Sequence, residues 1–219
     1  MSLQPPKHSE CSWPKGRRSR QRNQFLDYNL IVTEGTKTEP YYFKALKARI
    51  SAKESNRIQL DIKGGAGNTT GLLEYAKKLV KRSANGYSHV WLVYDKDDFP
   101  DDRFNEMEVV CKKLNEESET EYHAIWSNQC IELWFLLHFM YLESDLHRSE
   151  YYPKLTKELD GNGKYEKNRD DIFEILLPHL DTAISHARRL DKKNLALTPS
   201  EASPGTKMHI MMEKFKSFL

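Results

Sequence analysis

The stretch that decides the fold is SHVWLVYDKDD, residues 88–98. Residues 90–94 are a short run of β-branched and aromatic side chains between polar ones, which predicts a buried strand of a parallel sheet. Because side chains alternate along a strand, we expect Asp95 and Asp97 on one side and Asp98 on the other. Two adjacent carboxylates suit a divalent cation such as Mg²⁺; the alternative is that these acids only end the strand and solvate a turn.

Composition limits the class of protein. The chain has 219 residues, of which 38% are hydrophobic and 30% charged, enough for one large domain or one domain plus an appendage. No apolar run approaches the roughly 20 residues that span a bilayer, and the polar N-terminus does not resemble a secretory signal. Cys11, Cys111 and Cys130 are scattered and odd in number, which argues against a disulfide framework or a zinc site. We therefore expect a cytoplasmic protein that does not enter a membrane.

Charge is unevenly distributed, although the net charge is only +2. Residues 1–24 form a basic arm with six Lys and Arg residues against Glu10 alone. Such an arm can bind phosphates without sequence specificity, or it can be a disordered, solubilising leader. The sequence leaves both alternatives open.

Strand and helix patterns alternate in the first two thirds of the chain. The predicted strands are residues 29–33, 58–62, 90–94 and 122–126. Helices are predicted from Thr38 as N-cap, after Thr69 or Thr70, around residues 104–114 and over residues 130–141. The short connections predict right-handed crossovers and a three-layer α/β domain over residues 25–142, with a mostly parallel four-stranded sheet.

The last third reads differently, because strand signals stop at Glu143. Residues 172–190 show a helical pattern that Pro178 should kink or split in two, and residues 208–219 form another amphipathic segment. The sequence therefore predicts a helical extension, residues 143–219, packed on the core.

Carboxylates follow three of the predicted strands. Glu34 follows the first, Asp95 and Asp97 the third, and Glu132 lies just inside the helix after the fourth. The carboxyl ends of parallel strands share one edge of a sheet, where active sites gather. Clustered carboxylates repel one another unless a cation neutralises them, and a divalent ion there can polarise a phosphodiester. Glu34 could then act as general acid or base.

Glu-Gly after the first strand, with Asp-x-Asp after a later hydrophobic strand, resembles the Toprim domain of topoisomerases, bacterial primases and certain metal-dependent nucleases. Three phrases resemble the RloB family of Toprim-type proteins more closely: IVTEGTKTEPYYF (31–43), VYDKDDF (93–99) and SNQCIELWFLLHF (127–139). PGTKM, residues 204–208, is similar to the closing Pro-x-Thr segment of that family.

The resemblance implies a Toprim-like Rossmannoid core, dependence on Mg²⁺ or Mn²⁺, and nucleic-acid cleavage in anti-phage defence, as abortive infection or beside a restriction system. It implies that Glu34, Asp95 and Asp97 bind the metal, with Glu34 also as acid or base, and that Glu132 is a fourth catalytic acid. Relatives in such systems often work beside an ATPase. Whether the substrate is DNA, tRNA or another RNA, and whether the chain forms a homo-oligomer, stays open.

Several basic residues are candidates for holding the substrate. Lys37 could contact a phosphate at a helix N-terminus, although simple capping explains it equally well. Lys167 and Arg188 could line a groove for a phosphate backbone, or belong to solvated surfaces. The glycine-rich loop at residues 64–67 lacks the Gly-Lys-Ser/Thr ending of a P-loop, so we expect no ATP site. Glu39 is assigned to the start of its helix.

Two other function classes stay open beside the nuclease. One is a nucleic-acid-binding or regulatory subunit whose acidic site holds a structural metal. The other is a phosphoryl or nucleotidyl transferase, which the same metal site could support. The full acid set favours the nuclease, because a repulsive cluster is costly to hold together without catalysis.

Overall fold

A five-stranded sheet forms the centre of the protein, in the order β2-β1-β3-β4-β5. In this computed structural model the strands are β1 (Asp27–Thr33), β2 (Ile58–Lys63), β3 (His89–Asp95), β4 (Glu121–Asn128) and β5 (Gly205–Thr206). The first four are parallel, and β5 pairs antiparallel with β4. Each predicted strand lies within an observed one, and the α/β class is confirmed.

The structure describes residues 26–65, 67, 69–97, 99–159 and 161–219. The predictions for the basic arm (residues 1–24) and for Asp98 lie outside the described residues. The helices are α1 (Thr38–Glu54), α2 (Thr69–Arg82), α3 (Asp101–Glu117), α4 (Glu132–Leu136), α5 (Tyr151–Glu158), α6 (Ile172–Leu176), α7 (Leu180–Lys193) and α8 (Met208–Lys216). Within the described ranges, none of the helices has the length and apolar character needed to cross a membrane.

Strand alternation builds one core layer on each face of the sheet. Ile31, Trp91 and Val93 face one layer, which α1 and α4–α8 cover. Their neighbours along the strands, among them Val32 and Leu92, face the other layer, where α2 and α3 pack. Burial on both faces explains why these strands read as continuous apolar runs.

The C-terminal elements share the first of these layers. Phe173 of α6 packs edge-to-face on Tyr42 of α1, with ring centroids 5.1 Å apart. Phe215 of α8 packs on Trp91 of β3, at 5.6 Å between centroids. Of the kink or break predicted at Pro178, the structure shows the break, because α6 ends at Leu176 and a 3₁₀ turn separates it from α7. The domain boundary at residue 142 stays a prediction.

Two predictions about these elements are wrong. A strand follows Glu143 after all: β5 is held by a 2.9 Å hydrogen bond between the hydroxyls of Ser127 and Thr206. Two residues are too few to show a strand's period. The helix predicted over residues 130–141 is only α4, because the chain after Leu136 tightens into three-residue turns, with the Phe139 amide bonded to the Leu136 carbonyl at 2.9 Å.

Neighbouring residues of α8 give a direct test of this shared core. Met211 is fully buried in the first layer, whereas Ile210 is 41% exposed. We expect Met211→Ala to lower the free energy of unfolding by about 2–5 kcal/mol, since it leaves a cavity, and Ile210→Ala to change it far less.

The measurement is urea unfolding, followed by tryptophan fluorescence and circular dichroism. We expect one transition seen by both probes, because the sheet and α8 bury their side chains together. Two transitions, with only one sensitive to Met211→Ala, would show that the C-terminal part folds separately.

Candidate functional site

A cleft of about 330 Å³ opens at the edge of the sheet where β1, β3 and β4 have their carboxyl ends. It brings together all four predicted acids with further polar residues. The lining residues are Glu34, Gly35, Thr36, Lys37, Thr38, Glu39, Asp95, Asp97, Ile131, Glu132, Lys167 and Asn168.

Backbone hydrogen bonds continue past the ends of the strands and set the positions of the acids. The Glu34 amide donates to the Val93 carbonyl at 3.1 Å, which keeps the turn after β1 beside β3. The Asp97 amide donates to the Gln129 carbonyl at 2.9 Å, which keeps the chain after β3 beside the end of β4. Asp97 itself has φ +36°, a left-handed conformation that a short polar side chain tolerates. Three separate strand ends thus converge on one cleft.

Asp95 carries the least satisfied oxygen of this cluster. Its Oδ1 is buried and has no hydrogen-bond partner in the part of the chain that the structure describes. Burial raises the pKa of Asp95 well above its usual range, and the carboxyls of Glu39, Glu132 and Asp97 raise it further. An oxygen in this state is suited to a cation, because the ion would replace both the missing partner and the missing solvation.

Glu39 is a member of the cluster that sequence reasoning missed. It is 8% exposed, and burial raises its pKa to about 7, with the carboxyls of Glu132 and Glu34 adding to the rise. Its carboxyl lies so close to Gly35 that any side chain at position 35 would collide with it. Gly35 has no left-handed φ; its missing side chain instead leaves the space that the Glu39 carboxyl occupies.

The segment around Lys167 covers one side of the cleft. The Thr38 hydroxyl donates to the Lys167 carbonyl at 2.7 Å, which joins α1 to this segment. The prediction of Thr38 as N-cap is therefore wrong; Lys37 holds that position, with no side-chain cap bond among the described residues. The Tyr165 hydroxyl donates to Glu132 at 2.9 Å, and Glu132 is only 1% exposed.

The predicted basic residues divide into two groups. Lys37 and Lys167 line the cleft. Burial alone would lower the pKa of Lys167, but its hydrogen bond with Tyr152 and the negative charge of Glu132 raise it on balance, so the ammonium is retained. Of the residues that the structure describes, the set lining the cleft does not include Arg188. That side chain lies on α7 and bonds Glu213 of α8.

Arg148 is a second residue that the sequence did not indicate. Its guanidinium pairs with the Asp97 carboxylate at 2.7 Å. Arg148 begins a 3₁₀ turn in a stretch without strong periodicity, so no local signal marks it.

A smaller depression of about 240 Å³ adjoins the cleft and shares Thr36 with it. Lys44 of α1 and Lys63 at the end of β2 line it, together with Tyr75. Cationic side chains therefore lie beside the acidic cleft.

The donor atoms fit a hard divalent cation. Glu34, Asp95 and Asp97 offer only oxygen, which Mg²⁺ and Mn²⁺ prefer. A cation at this position would give the Asp95 oxygen a partner. It would also offset the burial and repulsion that raise the pKa values of Asp95 and Glu39.

The model of the RloB family, described as RloB-like protein, matches residues 29–215. The chain belongs to the RloB-like family. The match extends across the sheet, the cleft and the C-terminal helices as far as α8, in agreement with the resemblance of the sequence phrases. A search of curated proteins and a search of solved structures each found no significant match.

The raised pKa of Glu39 makes stability depend on pH. Between its ordinary value of 4.5 and about 7, the folded protein holds a proton that the unfolded chain has lost, so stability falls as pH rises through this window. We expect Glu39→Gln, measured with a chelator present, to match the wild type near pH 4.5 and to exceed it above pH 7, by on the order of 3 kcal/mol.

Urea unfolding at a series of pH values measures this difference. Glu74→Gln is the matched control, because Glu74 is an exposed helical glutamate paired with Lys77; we expect it to change stability by less than about 0.5 kcal/mol at every pH. A Glu39→Gln variant whose stability tracks the wild type from pH 4.5 to 8 would contradict the raised pKa.

Proposed function

We propose that this protein is a metal-dependent nuclease that cleaves phosphodiester bonds of nucleic acids. The observation that carries the proposal is the convergence of Glu34, Asp95, Asp97 and Glu132 on one cleft, with a buried, unpartnered oxygen on Asp95. Perturbed carboxyls clustered in a cleft are typical of catalytic sites, since the fold must hold them together against their repulsion.

In this proposal Glu34, Asp95 and Asp97 hold Mg²⁺ or Mn²⁺. The ion, when bound, would polarise the scissile phosphodiester and stabilise the departing oxygen. Proton transfer and substrate binding are assigned to the protein's own side chains.

Proton transfer is assigned to the glutamates. Glu34 is the proposed general acid or base, as the family resemblance implies. Glu39, with its pKa raised to about 7, exchanges a proton readily near neutral pH, which suits it to assist Glu34. Glu132 is held by the Tyr165 hydroxyl and lies close enough to Lys167 to affect its pKa, so its carboxylate is fixed in orientation.

The surrounding cations are suited to the polyanionic substrate. Lys37 and Lys167 line the cleft, and Lys44 and Lys63 line the adjoining depression, so a phosphate backbone could pass from one to the other. Arg148, now paired with Asp97, has a planar guanidinium that can bind a phosphate oxygen as well as a carboxylate. Binding energy along this path would orient the substrate over the acids.

We also propose that this activity serves anti-phage defence, beside an ATPase, as membership of the family and the sequence phrases together suggest. An assay of the nuclease should therefore include the ATPase as a purified component, with and without nucleotide.

The test is incubation with single-stranded DNA, duplex DNA and tRNA in Mg²⁺ or Mn²⁺, followed by gel electrophoresis. We expect cleavage that chelator abolishes, and a loss of rate of at least about 10²-fold in Asp95→Asn and in Glu34→Gln, because each removes a metal ligand or proton carrier. Asp102→Asn, on the exposed face of α3, is the control and should cleave at the wild-type rate.

Cleavage that persists in both Asp95→Asn and Glu34→Gln would contradict the proposal. Metal-dependent binding of nucleic acid, with a raised melting temperature and no cleavage of any substrate, would instead favour the nucleic-acid-binding subunit.

A further inference from the structure

A second cluster of ligand-type side chains lies at the opposite edge of the sheet from the cleft. It consists of His89, the first residue of β3, with Glu121 and His123 at the start of β4. In the parallel register His89 pairs with Glu121 and Trp91 with His123, so the side chains of His89 and His123 lie on adjacent strands near the same sheet edge. None of the three residues lines the acidic cleft described above.

The distances within this cluster match the face of a metal tetrahedron. His89 Nδ1 lies 3.0 Å from His123 Nε2 and 3.2 Å from Glu121 Oε2, and the last two atoms are 3.7 Å apart. Tetrahedral zinc with bonds of about 2.0–2.2 Å requires ligand atoms roughly 3.3–3.6 Å from one another. One ion could therefore contact all three atoms after shifts of a few tenths of an ångström.

The surroundings of the two imidazoles favour their uncharged form. Burial lowers the pKa of His89, and it lowers that of His123 to about 4, so both rings are neutral at pH 7. Trp91 stacks on the His123 ring, with centroids 4.0 Å apart and planes 14° from parallel, which fixes the orientation of that ring.

Asp27 supplies a second, independent observation. Its Oδ1 is buried, has no hydrogen-bond partner among the described residues, and lies 3.9 Å from His89 Nε2. The 3.9 Å separation is too long for a hydrogen bond, and a shift of about 1 Å would form one. A carboxylate bonded to the far nitrogen of a metal-binding imidazole orients the ring and increases its basicity. The other Asp27 oxygen pairs with Lys214 of α8 at 2.8 Å.

The charges facing the cluster favour a cation. Asp27 and Glu121 are negative, and Lys214 is the positive group that acts on both histidines. With neutral imidazoles the balance is one negative charge. The Glu121 side chain is 60% exposed, which leaves room for water as a fourth ligand.

We propose that His89, Glu121 and His123 bind a zinc-type transition-metal ion, with water in the fourth position and Asp27 orienting His89. Such an ion would tie together the amino ends of β3 and β4 and the start of β1. Scattered cysteines exclude only a thiolate site, so the sequence expectation against zinc does not extend to this one. The alternative is a hydrogen bond between two neutral imidazoles.

Cobalt titration of the metal-depleted full chain tests the proposal, since Co²⁺ occupies tetrahedral zinc sites and absorbs visible light strongly there. We expect one equivalent of Co²⁺ to produce this absorption and Zn²⁺ to displace it. Glu121→Gln and His123→Gln should weaken Co²⁺ binding by roughly tenfold or more. Glu119→Gln, an exposed glutamate in the preceding turn, is the matched control and should bind as the wild type does.

Asp95→Asn separates this site from the cleft, and we expect it to keep the full absorption. No tetrahedral absorption at millimolar Co²⁺, absorption unchanged in Glu121→Gln, or its loss in Asp95→Asn would each overturn the proposal. If His123→Gln does not fold, Co²⁺ binding by Glu121→Gln is the deciding measurement. The Glu121 carboxylate is exposed, so removing its charge leaves the stacked rings in place.

Discussion

The repulsion among carboxylates in the cleft is the constraint on which the rest of the structure depends. Burial and mutual repulsion raise the pKa values of Asp95 and Glu39, so the cluster is unfavourable when all of its members are charged. A surface site would relax by letting these side chains move apart into water. Here each acid sits at or next to the end of a strand or helix, and the backbone bonds that continue beyond β1 and β3 hold the main chain of Glu34 and Asp97 beside the neighbouring strands.

The C-terminal part of the chain completes this confinement. The Thr38 bond to the Lys167 carbonyl and the Tyr165 bond to Glu132 close one side of the cleft with residues far away in the sequence. The helices that carry this segment pack in the same apolar layer as α1 and the sheet. The geometry of the cleft and the packing of the core are therefore linked, since a loss of packing in the C-terminal part would release two of the groups that line or hold the cleft.

Local sequence patterns predict the strands and the acids at their ends, but they do not predict contacts between residues that are distant in the chain. Strands β1 and β3 are buried runs with polar ends, which predicts that their carboxylates share one edge of the sheet. That β1 and β3 are neighbours, which sets Glu34 beside Asp95, is seen only in the structure. Glu39 was missed because an acid in the first turn of a helix is explained by the helix dipole alone, and only the packed structure shows its carboxyl against Gly35. Arg148 meets its partner through tertiary structure, and the charge of Arg188 on an amphipathic helix fits a groove and a solvated face equally well.

Our central proposal is that the acids at the carboxyl edge of the sheet hold a divalent cation, and their convergence on one cleft supports it. Anomalous diffraction from crystals soaked in Mn²⁺ tests it most directly. We expect a manganese peak in the cleft, within bonding distance of Asp95 Oδ1 and of at least one of Glu34 and Asp97. Manganese peaks that lie only outside the cleft would contradict the proposal. So would a cleft without a manganese peak in which Arg148 is still paired to Asp97.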